Sequence, residues 1–366
     1  MNEIYKTLIY LLYCAVNGVT SDAERINSDE LQTLYHAAKS HNVLGAVGVA
    51  LERAGIHEEH FYEAYKKVIR NNIYLDMERT AIISDFEKQG IWYMPLKGSI
   101  LKELYPENGM REMADNDMLY DAEKQQEVIQ IMLDHGYTAE SVGKTHHDVY
   151  MKPPVLNFEL HTALFCEKHA EPLYKYYDDT KQLLHKDENN NYGYHFSDED
   201  FYIFMSAHEW KHYNSNGTGI RSLLDCYVYC NVKGDMLDWN YITEQCKQLE
   251  IADFEQERRQ LAVKLFSSDT FPELSDSETE MLMYYLTSGT YGTYKNSVEK
   301  KLKKQSKTRY ILHNLFPNIK YMRESVGFVN KFPVLYPVGI VYRWGRIIST
   351  RRQYLITIMK VMRTNK

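Results

Sequence analysis

Cysteine is scarce in this 366-residue sequence, and the five present (Cys14, Cys166, Cys226, Cys230 and Cys246) form no CxxC pair. That spacing argues against a thiolate zinc module or a disulfide scaffold, and it predicts free, buried thiols in a reducing cytoplasm. Long apolar runs are missing too: none approaches the ~18 residues that a spanning helix needs. The opening stretch MNEIYKTLIYLLYCAVNGVT has only a short apolar run, Glu3 offsets Lys6, and no small-x-small cleavage site follows. It predicts an amphipathic helix rather than a signal peptide, and a cytoplasmic protein. No internal repeat or low-complexity block stands out.

What is present is ordinary in bulk and uneven in detail. Hydrophobic residues make up 44% and charged residues 25%, which suits folded globular units, and the length suggests two or three of them. Tyrosine is abundant at 31, a residue suited to half-buried grooves and contacts between domains. The net charge of −7 hides a division. Residues 295–366 hold 17 Lys/Arg against Glu299 and Glu324, leaving 26 basic and 48 acidic residues before them. Such a basic tail is expected to meet something anionic: the acidic body, a lipid surface or a nucleic acid.

Periodicity divides the chain into four stretches. Residues 1–90 read as helices, with one pattern from Asp29 to Gly55 and another over 58–89 closing at Gly90. Residues 91–165 change character: a strand at Ile91–Pro95, a short helix through Leu104, a strand at Met118–Tyr120, a helix at Ala122–His135, then strands at Tyr137–Val142, His147–Met151 and Val155–Leu160. This order predicts a small mixed sheet with helices on one face. Residues 166–310 are helical again, with a lysine-rich end. The tail, 311–366, mixes aromatics, prolines (Pro317, Pro333, Pro337) and arginines without clear period. The whole reads as an α+β protein, a small mixed-sheet core flanked by N-terminal and C-terminal helical regions.

The candidate chemistry lies at 97–159. Lys97-Gly98-Ser99 stands where a strand meets a helix, so backbone N–H groups, the Ser99 hydroxyl and the Lys97 cation are placed to hold a phosphate. Asp115 and Asp117 are two apart and project from one face of a strand, an arrangement that repels itself unless a divalent cation neutralises it. Mg²⁺ takes one or two carboxylates together with phosphate oxygens and water. Glu159, between Phe158 and Leu160, faces either solvent or a site. Taken singly, each piece has a plain explanation: a chance Gly-Ser turn, a pair of solvated loop acids, an exposed strand acid.

Together they carry a resemblance. Met94-Pro95-Leu96-Lys97-Gly98-Ser99, Arg111 and Asp115-Asn116-Asp117-Met118-Leu119-Tyr120 resemble the DNA polymerase β-type nucleotidyltransferase superfamily: apolar residue, Gly, Gly/Ser, spacer, acid-x-acid, then a later acid on a strand. The sequence is more closely similar to the uncharacterised nucleotidyltransferase family of bacteria. Its members also carry an acid-Leu-His strand (here Glu159-Leu160-His161), a His-rich helix (His208-Glu209-Trp210-Lys211-His212) and an Arg…Asp helix (Arg221, Asp225). Three features depart from the pattern: a long spacer after Ser99, Asn116 where an apolar residue is usual, and Glu159 where many members have Asp.

The resemblance implies a nucleotidyltransferase core and metal-dependent transfer of a nucleoside monophosphate from an NTP, with ATP expected, to an unknown hydroxyl or phosphate acceptor. Asp115, Asp117 and Glu159 would be catalytic and hold Mg²⁺ (or Mn²⁺). Lys97, Gly98, Ser99 and Arg111 would bind the nucleotide, and His208, Lys211, His212 and Arg221 the acceptor. The rival of another class is a degenerate transferase that holds nucleotide or a partner without turnover. His208–His212 is also formally an HExxH string, which raises a zinc peptidase, and Arg221 with Asp225 reads as a helix ion pair. The tail's Arg343, Arg346, Arg351 and Arg352 beside the apolar run Pro333–Trp344 suit the interface of an anionic membrane, which makes the protein peripheral to it. Nucleic acid is the weaker candidate, supported by charge alone.

Overall fold

Local signals in the N-terminal region make four helices: α1 (Glu3–Val16), α2 (Leu31–Ser40), α3 (Leu44–Arg53) and α4 (Glu59–Gln89). The Glu58 carboxylate caps α4 by accepting from the Phe61 N–H at 3.0 Å, and Gly90 ends it at φ 70°, a conformation that suits glycine. The pattern read as one helix from Asp29 to Gly55 is two. Asn42, at φ 51°, takes a left-handed conformation between α2 and α3 and turns the chain.

This computed structural model describes residues 2–350 apart from 144, 291, 294, 297, 300, 301, 303 and 304, together with 358 and 361. They fall into two compact units, one of residues 1–211 and 219–290 and one of 212–218 and 291–366.

In the first unit β1 (Tyr93–Pro95) leads through the short α5 (Gly98–Leu101) to β2 (Asn116–Tyr120), then α6 (Gln125–Asp134), β3 (Thr138–Ser141), β4 (His147–Lys152) and β5 (Leu156–His161). The sheet order is β1-β2-β5-β4-β3; β2 and β5 run parallel, and the other neighbours are antiparallel. Alternation along β5 buries Leu156, Phe158 and Leu160 and leaves Asn157, Glu159 and His161 half-buried. The buried set joins Tyr93, Met118, Tyr120 and Tyr150 under Leu75, Ile82 and Phe86 of α4 and Val128, Ile131 and Met132 of α6. Burying a side chain as large as Phe158 contributes about 1.5–3 kcal/mol, so this face fixes the sheet's register and turns every second residue toward the other face.

Beyond the sheet come α7 (Glu171–Tyr176), a hairpin of β6 (Leu184–Lys186) and β7 (Tyr194–Phe196), and α8 (Asp198–Tyr213), α9 (Ile220–Lys233), α10 (Trp239–Gln248), α11 (Ala252–Phe266) and α12 (Asp276–Ser288). A reciprocal capping box of Ser275 and Glu278 opens α12.

The second unit contains α13 (Lys307–Leu315), α14 (Ile319–Ser325), α15 (Gly327–Lys331) and α16 (Tyr336–Thr350). The tail read without period is therefore helical through Thr350. Ser306 and Asn318 cap two of these helices, and Met322, Val326, Val329 and Ile340 form a small core. Arg351 and Arg352 lie outside the described residues, as do Lys300, Lys301, Lys303 and Lys304. No helix among the described residues is long and apolar enough to cross a membrane.

Candidate active site

Asp117 and Glu159 stand directly opposite each other in the parallel β2–β5 pairing, on the face turned away from α4 and α6. Asn116, between the two aspartates, is what sets that direction. It is fully buried on the helix side, donates to the Leu75 carbonyl at 2.9 Å and accepts from Arg79 at 3.0 Å. An apolar residue there would bury equally well, but it would not tie β2 to α4. Its neighbours Asp115 and Asp117 are thereby aimed at the open face.

The acids crowd one another. Burial, then Asp117 and Glu159, push the Asp115 carboxyl up to about 7. Burial and Asp117 raise Glu159 as well. Asp117 goes the other way: although burial opposes it, Lys97 and His161 hold it ionised, below the usual carboxylate range. Lys97 Nζ lies 3.8 Å from Asp117 Oδ2, and His161 Nε2 lies 3.1 Å from Asp117 Oδ1. Ligand atoms of Asp117, Glu159 and His161 all fall within 4.8 Å of one another. Asp115 belongs to no such group among the described residues, although it feels the charge of both other acids.

Two lysines face this acidic cluster. Lys97 sits in the turn after β1, which is clipped to β2 by a bond from the Leu96 N–H to the Asp117 carbonyl at 2.9 Å. Its ammonium contacts His208 Nε2 at 2.8 Å, and burial lowers its pKa. Lys211, one turn along α8 from His208, is lowered to about 8 by burial and by Lys97.

Other residues singled out in the sequence are engaged in structure. A Cβ on Gly98 would meet Met113 Sδ at 2.9 Å and Arg111 Nη1 at 3.2 Å, so glycine there leaves room for the ends of both side chains. The Ser99 hydroxyl donates to the Leu96 carbonyl at 3.0 Å. Arg111 is buried and pairs with Asp225 through two bonds of 2.8 and 3.0 Å, while its third nitrogen reaches the Gly98 carbonyl at 3.3 Å. Asp225 thus pairs with Arg111 and the Tyr105 hydroxyl, and not with Arg221 as helical spacing suggests. Arg221 donates to the Glu112 carbonyl at 3.2 Å, and its charge reaches Asp115. The zinc peptidase reading fails at its base: Glu209 is buried and accepts from Arg258 at 2.7 Å and the Tyr285 hydroxyl at 2.6 Å. His212 falls in the second unit, where its carbonyl accepts from the Ser215 and Gly217 N–H groups.

Sequence reading left His161 without a role. It lies two residues after Glu159, and that spacing is the signal that puts both on one face. Asn72 was also missed: it donates to the Arg111 carbonyl and accepts from the Met113 N–H, holding the loop before Asp115.

A model of the family described as "Uncharacterised nucleotidyltransferase" matches residues 27–267, about two thirds of the chain and all of this site. The chain belongs to that family. No curated protein and no solved structure matches it. As a nucleotidyltransferase it is a transferase, and its mixed sheet with flanking helices is consistent with the core of such an enzyme.

Proposed function

We propose that this nucleotidyltransferase moves a nucleoside monophosphate from an NTP, with ATP the expected donor, to a hydroxyl or phosphate acceptor, using a divalent cation at Asp117 and Glu159. The pairing of these two acids across β2 and β5 is the observation that carries the reading. Their donors fit a hard cation: two carboxylates with ligand atoms within 4.8 Å suit Mg²⁺ or Mn²⁺, which fill the remaining positions with phosphate oxygens and water. Such a cation would neutralise triphosphate charge and lower the pKa of an attacking hydroxyl.

The chain's own groups do the rest. Lys97 and Arg221 bring positive charge to the phosphates, and the loop of Gly98 and Ser99, braced by Arg111, shapes the backbone beside them. Glu159 orients the acceptor. Asp115 completes the acid set and, with its carboxyl near neutrality, accepts the proton the acceptor loses. A bond forms between acceptor oxygen and the α-phosphorus as the bond to the leaving pyrophosphate breaks. His208 holds Lys97, and Lys211 lies on the acceptor side.

The test is label transfer from α-labelled ATP with Mg²⁺. Incorporation that disappears in Asp117→Asn and in Lys97→Met supports the reading. Tight, Mg²⁺-dependent ATP binding without pyrophosphate release would instead make the chain a degenerate binding module.

We further propose that the C-terminal unit touches an anionic membrane surface. The favouring observation is α16, which exposes Val338, Val341, Tyr342 and Ile348, with Val334 just before it and the exposed Arg346 alongside.

A further inference from the structure

Three imidazoles meet where β4 begins and β5 ends. His147 opens β4 opposite His161, the last residue of β5. His146 precedes it, and its carbonyl accepts from the Thr162 N–H at 2.9 Å. Ring centroids are 4.7 Å apart for His146 and His147, 5.2 Å for His147 and His161, and 5.9 Å for His146 and His161. One ring nitrogen from each lies within 4.8 Å of the others.

The Nδ1 atoms of all three are buried and have no hydrogen-bond partner. Buried ring nitrogens are ordinarily paired, so three orphans in one cluster need a physical reason. The opposite nitrogens supply part of it. His161 Nε2 faces Asp117 Oδ1 at 3.1 Å, and His147 Nε2 faces Glu159 Oε2 at 4.0 Å. A carboxylate keeps the imidazole proton on the nitrogen turned toward it, which leaves the lone pair on Nδ1. Carboxylate, imidazole, cation is the order in which histidines ligate metals. A buried water is the plainer occupant, and its two donors would serve the lone pairs of His147 and His161. A cation accepts a lone pair from all three rings. His169, edge-on to His146 at 5.0 Å, is already engaged: its Nδ1 accepts from the Cys166 N–H.

The geometry points to a second cation site, in which His146, His147 and His161 bind a divalent transition ion of the Zn²⁺ class through Nδ1. Neutral imidazoles favour Zn²⁺, Co²⁺ or Ni²⁺, whereas Mg²⁺ prefers oxygen, so this site is chemically separate from the carboxylate pair. Metal–nitrogen bonds of about 2.0–2.1 Å hold ligand nitrogens roughly 3.3 Å apart, so modest ring rotations close the cluster. Three protein ligands leave a fourth position for water or another small ligand. Occupancy would also fix the His161 ring against Asp117, linking the two sites.

The experiment uses full-length protein, stripped with chelator and titrated with CoCl₂ in excess MgCl₂ so that the carboxylates see mainly Mg²⁺. The expected result is one Co²⁺ per chain with visible d–d absorption bands of nitrogen ligation. His146→Ala and His147→Ala should each weaken binding by about ten-fold or more while the far-UV circular dichroism stays native. If His146→Ala misfolds, His147→Gln carries the same comparison. Absence of Co²⁺ binding, its loss to Mg²⁺ competition, or unchanged affinity in folded histidine variants would each overturn the site.

Discussion

His41 lies fully buried between α2 and α3, and its Nδ1 accepts from the Ile220 N–H at 3.3 Å. Burial lowers its pKa from 6.5 to about 4, so the native state refuses a proton that the unfolded chain takes. Stability is therefore full above pH 6.5 and drains away as pH falls toward 4. At about 1.4 kcal/mol per pKa unit, urea denaturation at pH 7 and pH 5 should differ by about 2 kcal/mol from this residue. His41→Asn keeps an acceptor for Ile220, and its pH slope should flatten by that amount. An unchanged slope would assign acid sensitivity elsewhere. Asp115 has the opposite sign. Its carboxyl is raised to about 7, so its ionisation costs stability that is absent below pH 4 and grows through neutrality. Without divalent cations, Asp115→Asn should raise Tm at pH 8 and leave it nearly unchanged at pH 4. A lower Tm at pH 8 would mean that the acid is structurally satisfied.

Among elements, α4 does more than cover the sheet. Asn72, Leu75, Asp76 and Arg79 recur at helical spacing and grip the loop before Asp115, the strand at Asn116, and Lys102 at 2.9 Å. The helix itself was legible from Phe61 to Ile83 because apolar periodicity is local. Its polar grip was not, because nothing in the sequence pairs Asn72 with Met113 or Arg79 with Asn116. The Arg111–Asp225 pair was hidden in the same way: its members are far apart in sequence, and the nearer Arg221 competes for the same reading. Buried and bidentate, that pair braces the Gly98 turn. Asp225→Ala leaves a guanidinium unpaired inside the protein and should cost about 3–5 kcal/mol in urea denaturation. Adding Arg111→Met should restore most of that loss while still weakening ATP binding. A single-variant cost under about 1 kcal/mol would show that the loop stands without the pair.

At the scale of the whole molecule, the sheet and the shared face of Asp117 and Glu159 were legible in the sequence because alternation and two-residue spacing are themselves face assignments. The basic tail was legible as charge, not as structure: its helices are short and broken by Pro317 and Pro333, so no window was long enough to show a period. Packing supplies the missing pattern. Val329 and Ile340 are buried together, which turns the other side of α16 outward with Val338 56% and Val341 65% exposed, and Val334 just ahead of it 85% exposed. Exposed Lys320, Arg323, Lys331 and Arg346 lie in the same unit, while Arg343 is held by the Asn314 carbonyl. Apolar side chains rimmed by free cations suit an anionic lipid interface, where each basic residue near the surface contributes about 1 kcal/mol. Full-length protein should therefore co-sediment with phosphatidylserine-containing vesicles at low salt and release at high salt. Val338→Glu with Val341→Glu should abolish binding without lowering Tm, since both side chains are exposed and substitutions at such positions rarely change stability by more than ~0.5 kcal/mol. Equal binding to neutral vesicles, or full binding by the double variant, would sink the membrane reading.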